Sequence, residues 1–178
     1  VQLLDEYRPY VFTLMITDST GITVTRDLTV SPSCPYLYFA NDPTAQADTC
    51  PTSAPLTRNS AYQTFEGGSM LWLEGMIWVL TPDGRYTRYA DWSGVNYTIE
   101  DTPPPGLYKP ERGFGWVWSQ NNLRDSIGWA IASEQGYTAT WQQIEQRGSH
   151  RMLIGAIYVR LPDGRVIRFD SDMTWRAI

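Results

Sequence analysis

The chain has 178 residues, 42% of them hydrophobic and 19% charged, with 14 Gly and 12 Pro, the composition of a turn-rich globular protein. Its net charge is −5 and Lys109 is the single lysine, which excludes a nucleic-acid partner read through clustered basic residues. No run approaches the ~18–20 apolar residues of a membrane span, and no basic amphipathic stretch points to a membrane surface.

The first element is a β-hairpin. Residues 10–17 alternate, with Phe12, Leu14 and Ile16 on one face and Val11, Thr13, Met15 and Thr17 on the other. Asp18, Ser19, Thr20 and Gly21 form a turn cluster, after which 22–30 alternate again with β-branched residues. Tyr10, Leu14, Asp18 and Gly21, followed by Thr23, Thr25 and Val30, fall in a pattern that resembles the last two strands of a polycystic-kidney-disease-type or related immunoglobulin-like domain. That resemblance implies a sandwich of about seven strands, of which only two are present here. A two-stranded hairpin is marginal alone. The segment opening at Val1 and closing at Val30 therefore either belongs to a longer polypeptide or completes a sheet supplied by another subunit, self or hetero. The start carries no signal-peptide pattern, so export would rest on a segment upstream.

Residues 31–33 break the strand and lead into a loop between Cys34 and Cys50, each followed by proline. A disulfide closing a loop of this size is worth about 3 kcal/mol in the chain-entropy model. Zinc is a poor alternative, because the only histidine, His150, does not complete a four-ligand set. Two free buried thiols are the plainer alternative; a bridge is expected, and with it an oxidising compartment.

The remainder contains an internal repeat. Residues 75–89 match 155–169, with identities at Gly75/Gly155, Ile77/Ile157, Val79/Val159, the whole Pro-Asp-Gly-Arg turn and Arg88/Arg168. The turns place Asp83 and Gly84, and Asp163 and Gly164, between paired strands. A preceding strand in each copy is expected to turn at Glu74-Gly75 or Ile154-Gly155, giving two three-stranded meanders. Ile77 and Val79, like Ile157 and Val159, are expected to face inward. Trp78 and Tyr158 then face outward, toward a neighbour or toward cover from within the chain. Between the copies lies Pro103-Pro104-Pro105-Gly106, an extended spacer. Phe114, Val117 and Trp118 fall at i, i+3, i+4, which predicts one short helical turn under the meander.

In the second copy Arg112, Gly113, Phe114, Gly115, Val117, Trp118, Ile127, Gly128, Trp129, Ala130 and Glu134 follow a glycine- and tryptophan-rich pattern. Gln63, Phe65, Glu66 and Gly68 fit the companion element of the first copy, which departs where Cys50-Pro51 replaces the tryptophan–alanine pair. The pattern resembles a repeat of secreted bacterial surface proteins, distantly similar to LGFP-type repeats, and implies an envelope-associated role without known catalysis.

Residues carrying chemistry are sparse. His150 has basic neighbours and no Gly-x-Ser-x-Gly partner, so neither a Ser–His–Asp nor a Cys–His arrangement is expected. Among the carboxylates Glu66, Glu74, Asp83, Asp91, Asp163, Asp170 and Asp172, a glycosidase pair does not stand out. Asp170 and Asp172 form a weak Ca²⁺ candidate, and no other metal and no cofactor is expected.

The expectation is an all-β protein. A partial immunoglobulin-like sandwich (its terminal hairpin) occupies 1–32, and two repeated small β-meander units with short helical turns follow. The first of these carries the bridged loop over 33–100, and the second covers 101–178. Its function is expected to be non-enzymatic: an extracellular or cell-surface structural module contacting protein partners through strand edges and aromatics. The alternative is binding to a cell-wall glycan. Trp78, Trp92, Trp116, Trp118 and Tyr158 are the candidate contact residues for either.

Overall fold

The computed structural model describes residues 10–30, 34, 36, 39, 42, 49–90, 94, 96–147 and 152–178. Residues 1–9, the 31–33 linker, Asp91, Trp92 and His150 lie outside that set.

Strands β1 (Tyr10–Thr17) and β2 (Thr23–Val30) pair antiparallel from Tyr10↔Val30 to Thr17↔Thr23 and form a sheet of their own. Asp18 holds the turn: its Oδ1 accepts from the backbone N–H of Thr20 at 2.8 Å and of Ile22 at 2.9 Å. Gly21 supplies the positive φ of 83°.

All other strands join one antiparallel sheet. They are β3 (Thr49–Pro51), β4 (Leu56–Phe65), β5 (Gly68–Leu73), β6 (Met76–Leu80), β7 (Tyr86–Ala90), β8 (Gln135–Arg147), β9 (Met152–Arg160), β10 (Val166–Asp170) and β11 (Trp175–Ala177). The order is β11-β10-β9-β8-β4-β5-β6-β7, with β3 added on β8. The sheet curls until its two ends meet. Arg85 bridges Thr174, the Trp175 N–H donates to the Gly84 carbonyl at 2.7 Å, and the Tyr86 N–H donates to the Met173 carbonyl at 3.0 Å. The result is a nearly closed, all-β wall around a filled interior.

Aromatic rings seal the junction from inside. Trp78 of β6 lies 4.5 Å from Phe169 of β10 and 5.2 Å from Tyr86 of β7, and Tyr86 lies 5.0 Å from Phe169. Leu71, Leu80, Val159 and Ile167 complete the interior. Burying each such side chain stabilises the fold by roughly 1.5–3 kcal/mol.

The outer face has two different covers. Over β4, β5 and β6 lie two helices, α1 (Arg112–Gln120) and α2 (Leu123–Ile127). Phe114, Val117 and Trp118 bury the face of α1 that their spacing predicts, although the helix runs for nine residues rather than one turn. Gly115 is required there, because the Tyr97 hydroxyl and the Pro110 carbonyl occupy the space a Cβ would take. The glycine- and tryptophan-rich letters of the second copy clamp the first. Glu66 Oε2 accepts from the Trp129 N–H at 2.7 Å, the Glu66 N–H donates to the Trp129 carbonyl at 2.9 Å, and Trp118 Nε1 donates to the Gly128 carbonyl at 2.8 Å.

Over β8, β9 and β10 lie Phe39 and Asp42 of the bridged loop instead. Cys34 and Cys50 are joined with their Cα atoms 5.4 Å apart. Phe39 packs edge-on against Tyr158 with centroids 6.5 Å apart, and its N–H donates to Gln142 Oε1 at 3.2 Å. Asp42 Oδ2 accepts from the Tyr158 hydroxyl at 2.6 Å and from Arg168 at 2.8 Å. Arg168 also donates to Asp170 Oδ1 at 2.7 Å. Burial works against the Arg168 charge, but the bonds from Asp42 and Asp170 overcome it and hold its pKa above the ordinary guanidinium value.

Three expectations about the repeat need correction. First, a boundary near residue 100 does not separate two sheets: β4 of the first copy pairs with β8 of the second from Leu56↔Trp141 to Tyr62↔Gln135. Second, no turn forms at Ile154-Gly155. Strand β9 runs through it, and the register skips Gly155 as an extra residue between Ala156↔Ile144 and Ile154↔Glu145. At the matching place in the first copy Glu74 and Gly75 both take positive φ, 52° and 72°, as a two-residue hairpin turn needs. A β-branched residue such as Ile154 resists that conformation, so the second copy bulges where the first turns. Third, the aligned strands face opposite ways: Ile77 and Val79 pack outward beneath the helices, whereas Ile157 and Val159 belong to the interior. The Pro-Asp-Gly hairpin joins β6 to β7 at one end of the sheet but β9 to β10 inside the other half, so equal letters occupy unequal places. The proline stretch likewise closes in a turn, with Gly106 at φ 86° and the Leu107 N–H donating to the Pro104 carbonyl at 3.0 Å.

Candidate functional site

Among the described residues, most of the exposed large hydrophobic side chains lie on the hairpin. Pairing places Phe12 opposite Leu28, Leu14 opposite Arg26 and Ile16 opposite Val24, so these six side chains share one face. Phe12 is 49% exposed, Leu14 58%, Ile16 61% and Leu28 62%. The reverse face is built differently: Thr13 opposes Asp27 and donates to it at 2.7 Å, and Thr17 and Thr23 are hydrogen-bonded at 2.9 Å. Val11 and Met15 also stand exposed on this reverse face, at 62% and 65%, so the hairpin has one mainly apolar face with Arg26 at its centre and one of mixed threonine and apolar residues. Among the described residues nothing covers the apolar face.

The aromatic residues expected to make contacts are mostly in the core. Trp78 faces the interior, 4% exposed, where it seals the sheet junction. Tyr158 does face outward from the sheet, but Phe39 and Asp42 of the bridged loop cover it. Trp118 stacks on Trp129 at 4.8 Å beneath the helices, and Trp116 is half-buried against the same cluster. Their cover comes from this chain, which removes Trp78, Tyr158 and Trp118 as stacking platforms for a glycan.

The turn acids are occupied locally. Asp83 Oδ1 accepts from the Thr81 hydroxyl at 2.6 Å and from the Arg85 N–H at 3.2 Å, bonds that hold its pKa below the ordinary carboxylate value. Asp163 accepts from the Arg165 N–H at 3.0 Å and from Arg165 Nε at 2.7 Å. Gly84 and Gly164 take φ of 78° and 86° beside them. The Ca²⁺ candidate is likewise committed: Asp170 receives Arg168, and Asp172 Oδ1 receives the Thr174 hydroxyl at 2.6 Å and its N–H at 3.1 Å. No group of three metal-ligating side chains occurs among the described residues. No helix among them is long and apolar enough to cross a membrane.

One concave site does exist, and it lies where α1 begins. A cleft of about 350 Å³ opens between α1 and the outer face of β4 and β8, and adjoins a second of about 260 Å³ through Arg112, Glu134 and Gly136. Its floor is the paired Ala61 and Gly136, two of the smallest residues available. Trp72, Ile77 and Phe114 supply its apolar lining, and Arg112 and Glu134 its charged groups. Arg112 holds a left-handed φ of 49° and its guanidinium lies 3.7 Å from Glu134. Burial raises the Glu134 pKa above the ordinary carboxylate value; Arg112 opposes that shift and Glu111 adds to it. Gln63 lines the second cleft, 2% exposed; its Nε2 donates to the Ala132 carbonyl at 3.0 Å while its Oε1 has no partner.

No known protein family, curated protein or solved structure matches this chain.

Its own geometry therefore carries the functional argument. Reading along the sequence gives Gln63, Arg112, Phe114 and Glu134 only as letters of a repeat pattern, and gives Trp72 and Asp42 no role at all. The detectable signal at Trp72 is its place on the strand before the Glu74-Gly75 turn, alternating with Leu71 and Leu73. Asp42 sits in an aperiodic loop and offers no such signal.

Proposed function

We propose that this chain is a non-enzymatic structural module of an extracellular or cell-surface protein, and that its β1–β2 hairpin docks onto partner strands to complete an immunoglobulin-like sandwich. One observation carries the reading: a hairpin on which Phe12, Leu14, Ile16, Val24 and Leu28 stand exposed around Arg26 on one face, beside a well-packed sheet. Sheet completion is a recurring mode of protein association, because strand edges supply main-chain bonds and the apolar face supplies burial. The likeness of Tyr10, Leu14, Asp18 and Gly21 to the terminal strands of a polycystic-kidney-disease-type domain names the kind of sheet that is missing. The Cys34–Cys50 disulfide favours an oxidising, extracellular setting. The occupation of Asp83, Asp163, Asp170 and Asp172 in turns and ion pairs favours a structural role over a catalytic one.

Multi-angle light scattering over a concentration series tests this. Association that grows with concentration and disappears in the Phe12→Thr, Leu14→Thr double variant supports hairpin docking. A strict monomer at every concentration removes self-assembly as a property of the chain.

A further inference from the structure

The cleft at the start of α1 has the properties of a binding site, and nothing in the assembly reading uses it. Ligand pockets are concave, largely apolar, and carry a few convergent polar groups. Here the apolar wall is Trp72, Ile77 and Phe114, and the polar groups are Arg112, Glu134 and, in the adjoining recess, Gln63. Two of these side chains are under-satisfied. Gln63 is 2% exposed and its Oε1 has no hydrogen-bond partner, although burying an acceptor without a donor costs on the order of 1–3 kcal/mol. Glu134 is held by burial above its ordinary pKa, with Arg112 only at 3.7 Å to offset it.

The donor and acceptor inventory narrows the ligand. Gln63 Oε1 and the Glu134 carboxylate both ask for donors, and Arg112 asks for an acceptor. A phosphate or carboxylate ligand would satisfy Arg112 but be repelled by Glu134 and Glu111, which border the same recess. A purely apolar ligand would leave Gln63 Oε1 unpaired. The floor supplies the shape: Ala61 and Gly136 leave room against the sheet, and a Cβ built on Gly136 meets nothing within 4 Å. The half-buried Trp72 ring adds an aromatic surface at that floor. A sugar ring presents hydroxyl donors and acceptors at its edge and an apolar C–H face to an aromatic. An acetamido group adds an amide N–H for a buried amide oxygen and a methyl group for an apolar wall.

We propose that this cleft binds a neutral saccharide carrying an N-acetyl group, with Gln63 and Glu134 as acceptors, Arg112 as donor and Trp72 as the apolar platform. The inference is independent of hairpin docking, because β1 and β2 line neither part of the cleft.

The test is calorimetric titration of the full chain with chitotriose, with cellotriose as the non-acetylated counterpart and cadaverine as the cationic one. Chitotriose is expected to bind and the other two to bind at least about tenfold more weakly, the discrimination that one buried polar contact confers. Two variants place the binding. Gly136→Leu fills the floor from a strand position with an ordinary φ, and Glu134→Gln removes the charged acceptor. Each is expected to weaken chitotriose binding about tenfold or more while the melting transition of the sheet remains. No chitotriose binding, tighter binding of cadaverine, or chitotriose binding unchanged in both folded variants overturns the proposal. Loss of hairpin-driven association in Phe12→Thr, Leu14→Thr with chitotriose binding intact separates the two functions.

Discussion

The two halves of the sheet carry the same letters yet are covered in opposite ways. Over β4, β5 and β6 the cover is helical and apolar, with Phe114, Val117, Trp118 and Trp129 packed on Met70, Ile77 and Val79. Over β8, β9 and β10 the cover comes from the bridged loop, and among the described residues Phe39 and Val166 pack against Ile144, Ala156 and Tyr158. An ion pair does there what aromatic burial does on the other side. Asp42 and Arg168 have side chains only 2% and 12% exposed, and Asp170 and the Tyr158 hydroxyl complete the set. The difference teaches that a repeated strand does not dictate its own lid. Ile77 and Val79 present an apolar stripe outward and attract helices. Ala156 and Tyr158 present a small residue and a hydroxyl, and meet Phe39 and Asp42 of the disulfide-bridged loop.

The comparison breaks most sharply at the helical cover. Phe114→Ala removes a fully buried ring and is expected to cost about 3–5 kcal/mol, read as a lowered chemical-denaturation midpoint, with β8 and β9 amides keeping more of their protection than β5 and β6. On the other side, Asp42→Ala leaves Arg168 buried with Asp170 beside it, and about 3 kcal/mol of stability is expected to go. Unlike the surface pair of Arg58 and Glu74, that loss is expected to be insensitive to added salt. Replacing both cysteines with serine costs roughly 2–3 kcal/mol, by opening a loop that Asp42 still anchors. Its exchange signature falls on β9 and β10, the mirror image of Phe114→Ala.

The smallest effect concerns the cleft that borders the helical cover. Burial raises the folded Glu134 pKa above its unfolded value, so the folded state favours the protonated acid. That contribution is fully present below the unfolded pKa and is lost as pH rises through the folded one. Glu134→Gln is expected to raise the melting temperature slightly at neutral pH and to leave it unchanged well below the carboxylate range; thermal melts across that window measure it.

How much of this was legible depends on the range of the interaction. The hairpin is local: alternation from Tyr10 to Thr17, an Asp18–Gly21 turn and a second alternating run specify both its register and its two faces. The bridge between Cys34 and Cys50 and the turns at Asp83 and Asp163 are also short-range features, each fixed by residues within a few positions or by the only two cysteines. Face assignment failed where closure decides it. Whether Trp78 or Ile77 points inward depends on β7 meeting β11, a contact between Arg85 and Thr174 that no local pattern announces. The cleft was invisible for a related reason: its floor is an alanine and a glycine, residues that signal nothing alone and matter only because Ala61 lies opposite Gly136.

The central claim is that β1 and β2 form half of a structure whose other half comes from elsewhere. Hydrogen exchange on the chain at high dilution tests it most directly. The account predicts fast exchange throughout Tyr10–Val30 while the β4, β5 and β8 amides stay protected, because a two-stranded hairpin without cover is marginal in water. Protection of β1 and β2 equal to that of the large sheet, in a sample that scatters as a monomer, would contradict it.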